Sequence, residues 1–288
     1  MPKRAKLKPA GRCIYCGSGN LSKAHIWPAW LKQVLPTFSN THENVVGEFR
    51  TFTSAVPGPA PSVEIRQGAT FSRKLRIVCQ DCNSGWCGNI EHQAKPVLAP
   101  LIAGQPAEIS PTDQQKLALW FALVIVLLDR IDLRMAAIPQ EDRSYIKTNL
   151  SPPPRWQMWI VKYDGVAGDE FVCATTGFLM VSDPSQISID PERIESGESV
   201  CNSRVVTCCV GHLCMHALIS GSGYKIGGYE GINLMRVWPS SQVWYDWKAA
   251  TQVSHSDIIE LAESVPRNAR PGFPVPPSPQ TYNVKRTK

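Results

Sequence analysis

A chain of 288 residues with 43% hydrophobic content can bury a sizeable core, which excludes an intrinsically disordered protein. Its formal net charge of +6 is mild, so it permits an acidic partner such as nucleic acid without demanding one. The chain opens with no apolar leader and contains no apolar run of bilayer length, so a cytoplasmic protein without membrane insertion is expected, one whose cysteine pairs serve a metal rather than disulfides.

Lys3, Arg4, Lys6, Lys8 and Arg12 crowd the start of the chain, residues 1–12. Such a run is either a solvated flexible tail or an arm that contacts phosphates. The first cysteine pair follows at once, Cys13-Ile14-Tyr15-Cys16, and a second stands at Cys79-Gln80-Asp81-Cys82. Each lies in polar sequence punctuated by Gly or Asn, as a tight metal-binding turn requires. Two C-x2-C pairs can bring four thiolates to one tetrahedral zinc, and a closed site of that kind contributes directly to folding.

Between the pairs, Leu21 to Ile26 reads as an extended segment that delivers His25, and Ala29 to Leu35 as a short helix entered through Pro28. Residues 39–73 form an insertion in which Val45-Val46 and Val63 to Ile65 are candidate strands; Leu75 to Val78 follows it as another. After the second pair, Asn83-Ser84 offers an N-cap for a helix to Lys95 that Pro96 ends. Residues 13–95 thus form one zinc-centred unit. Tyr15, Trp27 and Trp30 could stack on bases, but packing against a small core is their commoner use. His42 and His92 read as surface residues.

Residues 96–150 read as a helical subdomain. A Pro-rich linker to Pro111 leads to a long helix capped by Thr112 or Asp113 and running to about Arg134, buried from Leu117 to Leu128; a second starts at Pro139 and ends near Asn149. Ser151-Pro152-Pro153-Pro154 then marks a boundary. From 151 to 266 the period becomes strand-like, at Trp156–Tyr163, Glu170–Val181, Val205–Ser220 and Gly231–Trp238, before a helix from Asp257 to Val265. The tail, 267–288, is Pro-rich and expected to be disordered. Cys208, Cys209, His212, Cys214 and His216 invite a second metal site, but a strand divides alternate residues between two faces, so core packing is expected instead. This half has no P-loop, dinucleotide fingerprint or Gly-x-Ser-x-Gly elbow.

Cys13-x2-Cys16, His25-Ile26-x-Pro28 and Cys79-x2-Cys82-Asn83 together resemble the HNH (His-Me finger) endonuclease family in its four-cysteine zinc variety, of bacterial and phage type. The longer run Val78 to Trp86, with Glu91 and Pro96 to Leu101 after it, is similar to members of that family. The resemblance implies an α+β protein with an N-terminal, treble-clef-like ββα-metal finger and a mixed helical and β C-terminal domain. It implies a metal-dependent nuclease acting on DNA, nicking one strand per site, in a setting such as defence against foreign DNA. His25 matches the catalytic His, the general base toward water. Asn83 matches an amide ligand of the catalytic Mg2+ or Mn2+, and Cys13, Cys16, Cys79 and Cys82 match the structural Zn2+ set.

The family often carries an acid just before the catalytic His, where this chain has Ala24. Glu91 is the candidate carboxylate, although eight residues of ideal helix put it roughly 12 Å from Asn83. The family's central Asn is replaced by Arg73-Lys74, with Asn44 a candidate substitute. The C-terminal half could engage other proteins of a multi-component system. The same four cysteines would equally scaffold a non-catalytic zinc module that binds nucleic acid or protein.

Overall fold

The computed structural model describes residues 11–35, 41–46, 62–67, 72–164, 171–180, 199–229 and 232–268. Strand β1 (Leu21–His25) follows the first cysteine pair; β2 (Thr41–Val46) and β3 (Ser62–Gln67) form a hairpin of their own; β4 (Lys74–Cys79) ends on the second pair. β1 and β4 pair antiparallel, Leu21 opposite Cys79 and His25 opposite Lys74, with a bulge between Ser22 and Ala24. Alternation directs the ladder: Ala24 and Ile77 turn inward and are buried, while Lys23, His25, Lys74 and Arg76 are exposed. The insertion is more regular than its sequence suggests, since β2 and β3 hold register from Thr41–Gln67 to Val46–Ser62. A four-residue helix, α1 (Leu31–Val34), follows β1.

β4 runs into one turn of helix, α2 (Gln80–Cys82), then a wide turn over Asn83–Cys87, then α3 (Gly88–Ile102). Two expectations are corrected here. The helix is not continuous from Asn83, because Gly85 leaves helical geometry at φ −85° and ψ −110°. Nor does Pro96 end it; α3 continues through Pro96 and Pro100, so the first part of the expected linker is helix. An internal proline costs about 3 kcal/mol. Burial of Ile90, Leu98, Leu101 and Ile102 along one face offsets it, each contributing about 1.5–3 kcal/mol.

The long helix α4 (Pro111–Asp129) is capped by Ser110, not by Thr112 or Asp113. Asp113 N–H donates to Ser110 Oγ at 3.1 Å and the Ser110 N–H returns to the Asp113 carboxylate at 3.4 Å, a capping box that only Ser110 can form. From Leu117 to Asp129 every residue but Leu119 is buried, because α3 packs on one side and β10 (Met235–Trp238) on another. Next come β5 (Glu108–Ile109), which lies just before α4 and pairs with β11 (Tyr245–Asp246), and helix α5 (Gln140–Asn149).

The main sheet contains β6 (Gln157–Tyr163), β7 (Phe171–Phe178), β8 (Ser203–Val210) and β9 (Leu213–Ile219) in the order β10-β6-β9-β8-β7. All these pairs are antiparallel; β12 (Gln252–Val253) alone joins β6 in parallel. The expected strand pair over 205–220 is β8 and β9, and β10 begins later than Gly231. Gly211 turns between them at φ +54°, where a Cβ would stand 2.4 Å from the Ile102 carbonyl oxygen. That close approach lets the His212 N–H cap the end of α3 at 2.9 Å. The terminal helix α6 spans His255–Asn268.

An α+β fold with antiparallel sheets is therefore what the sequence builds. One continuous buried cluster joins Cys13 and Ile14, Trp120 and Phe121 of α4, and Met215 and Trp247, across the Pro152-Pro153-Pro154 break. Trp27 holds the joint, edge-on to Phe171 at 4.9 Å and 6.2 Å from Trp120. Tyr15, Trp27 and Trp30 are all buried, which makes them packing residues.

Candidate metal centre and adjoining cleft

The two cysteine pairs meet. Gly17, at φ +76°, reverses the chain after the first pair, and the Gly17 N–H donates to the Cys13 carbonyl at 2.8 Å. In the second pair the Cys82 N–H donates to Cys79 Sγ at 3.4 Å. All four sulfurs lie within 4.8 Å of one another, with Cys16 Sγ 3.6 Å from Cys79 Sγ and 3.7 Å from Cys82 Sγ. Four thiolates about 2.3 Å from one zinc stand about 3.8 Å apart at the corners of a tetrahedron. The cluster is thus suited to a structural zinc. Arg143, buried on α5, fixes it from behind by donating from Nε to the Ile14 carbonyl at 3.2 Å.

Beside the cluster lies a cleft of ≈ 50 Å³, lined by His25, Asn83 and Glu91 together with Ala24, Tyr15 and Cys87. Its rear wall is Trp120, Leu123, Val124 and Leu127 of α4. Asn83 precedes the departure from helix at Gly85 and Glu91 follows it. The roughly 12 Å of an ideal helix presumes a continuity that Gly85 interrupts. Ala24 contributes a methyl group to the lining, so the carboxylate facing this cleft comes from the helix and not from the residue before His25.

Burial raises the Glu91 pKa above its ordinary value, while the nearby Trp30 indole and Lys95 act in the opposite direction. The Trp30 N–H has no well-formed hydrogen bond among the described residues, so its pull on Glu91 is one of proximity. Lys95 also stands over the Trp30 ring at 5.5 Å. Desolvation lowers the His25 pKa, and the ammonium groups of Lys74 and Lys32 lower it further. His25 therefore stays neutral, able to accept a proton, to a lower pH than a free imidazole. If it acts as a base, activity is present above its folded pKa and lost as pH falls through it, with the acid limb below 6.5, the ordinary value. In Lys74→Ala that limb should move toward higher pH, which a pH–rate profile of the two proteins would measure; an unmoved limb would exclude His25 as the titrating group.

Among the described residues the four cysteines are the only group of three or more His, Cys, Asp or Glu side chains placed to hold one ion. The second cysteine and histidine cluster is dispersed. Cys208 forms a disulfide with Cys173 across β7 and β8, whereas Cys209 and Cys214 sit opposite each other in a different part of the core. His212 bonds through Nδ1 to the Tyr163 carbonyl at 3.1 Å, and His216 is held between Thr207 and Tyr229. His92 is exposed, and the side chains of His42 and Asn44 lie outside the described residues. The α4 wall had no sequence signal, because its apolar residues look the same whether they line a cleft or fill a core.

No protein-family model, curated protein or solved structure matches this chain.

Proposed function

We propose that the chain is a zinc-stabilised, metal-dependent endonuclease of the HNH type that nicks DNA. The observation that supports this most is the cleft shared by His25, Asn83 and Glu91, three residues that chain order alone does not bring together. β1, β4 and α3 supply the strand-strand-helix order of a ββα finger, with the cysteine cluster as its clamp. The Asn83 amide oxygen and the Glu91 carboxylate are hard donors that fit Mg2+ or Mn2+. A divalent ion bound there supplies charge stabilisation for the scissile phosphate and the leaving 3′ oxygen.

In this reading the neutral imidazole of His25 takes a proton from the attacking water, and the apolar wall of α4 limits solvent around it. Asn83 orients the cleft from the zinc side; Glu91 adds the negative charge that Ala24 lacks. One such site cuts one strand, so a single chain nicks. Incubating supercoiled plasmid with the protein and Mg2+ or Mn2+ should yield open circles, and His25→Ala should slow this by at least about 10²-fold. No open-circle product, or equal rates, would sink the proposal.

A buried alanine in the place of an acid also favours a second reading, a zinc module that binds without cutting. Titration calorimetry with Mn2+ separates the two, because only the nuclease needs a second divalent site that Asn83→Ala weakens.

A further inference from the structure

We infer that the exposed face of the β1–β4 ladder is a docking track for the backbone of duplex DNA, read by charge and not by base sequence. It rests on His25 being the group that meets a phosphodiester, but not on hydrolysis. His25 and Lys74 are opposite residues in the ladder, and Lys23 and Arg76 stand two positions along each strand on the same exposed side. Two residues of strand span about 6.6 Å and opposite strands about 5 Å. Cations are thus spread over a surface that a phosphate chain can follow. Neither strand contains an acidic residue, and among the described residues none of Lys23, Lys74 and Arg76 is in an ion pair. Lys32 also lies close enough to His25 to influence its charge.

His25 stands at one end of this row. A backbone laid along Lys23 and Arg76 therefore delivers its next phosphate to the mouth of the cleft. The two strands offer ammonium and guanidinium groups and contain no amide side chain, so the face positions a backbone and gives little readout of base edges. On the inner face of the same ladder, Ala24 and Ile77 are buried in the core, which makes the track a rigid surface.

The test is binding of the full, zinc-loaded chain to two labelled DNA duplexes of unrelated sequence, followed by anisotropy over a range of salt. A His25→Ala background prevents cutting. Equal affinity for both duplexes is expected, with a log affinity against log salt slope that falls by about 0.9 for each residue removed in Lys23→Ala, Lys74→Ala and Arg76→Ala. Lys23→Arg with Lys74→Arg should retain the slope, and unchanged zinc content in every variant shows that the fold persists. A triple alanine variant that keeps the parent slope, or affinity that follows base sequence, overturns the track even if the wild type nicks plasmid. Loss of slope in a protein that does not nick leaves the track standing and removes only the hydrolysis.

Discussion

Cys82→Ser, or treatment with a strong chelator, should lower stability by at least about 4 kcal/mol, a fraction of the roughly 10–16 kcal/mol that structural zinc supplies to isolated zinc modules. At about 2–4 °C per kcal/mol for a chain of this size, the melting temperature should fall by about 10 °C. The reason is the surroundings of the thiols. Cys13, Cys79 and Cys82 are buried, and desolvation pushes the Cys82 thiol up to about 12. Without a metal that position disfavours the thiolate, and the crowded sulfurs lose the ion that would hold them. Loading must also displace protons, so zinc affinity should rise with pH. The loss should not stay local, because Arg143 ties the first knuckle to α5 and the buried cluster runs from Cys13 to Trp247. Metal analysis and thermal unfolding check this together: one zinc per chain is expected, and a protein without zinc that melts at the same temperature would contradict it.

The knuckles were legible in the sequence because their chemistry is local: two residues between cysteines fix a turn, and the turn fixes two sulfurs. Their union across the 62 residues between Cys16 and Cys79 followed from valence, since a closed zinc site needs four ligands. The extended segment that delivers His25 was legible for the same reason. What could not be read was set by tertiary packing. Pro96 looked like a helix end because its local cost is real, yet the apolar face of α3 outweighs it. The helix break at Gly85 hides among residues that favour a helix start, and nothing local signals that Asn83 and Glu91 line one cleft. Ser110 was missed as the cap because Pro111, at the first helical position, looked like part of a linker.

Asp129→Ala should cost about 3–5 kcal/mol, since it strands a buried guanidinium. Asp129 ends α4, wholly buried, with Oδ1 accepting from the Ala137 N–H at 2.8 Å and from Arg204 Nη1 at 3.2 Å. Arg204, on β8 and only 2% exposed, also donates to the Met135 carbonyl at 2.8 Å. The pair is already under-satisfied: Asp129 Oδ2 and Arg204 Nε have no hydrogen-bond partner among the described residues. Such a pair adds less stability than its Coulomb attraction suggests, but losing Asp129 leaves the Arg204 guanidinium dry and without the carboxylate that bonds it. Replacing both, as Asp129→Leu with Arg204→Met, should therefore restore most of what Asp129→Ala loses. The cost also reaches the cleft, because α4 supplies its rear wall, including Leu127, two residues before Asp129. Urea unfolding of the singles and the double decides the matter: an Asp129→Ala loss under about 1 kcal/mol, or a double variant as unstable as the sum of the singles, would show that this ion pair does not anchor α4 to the sheet.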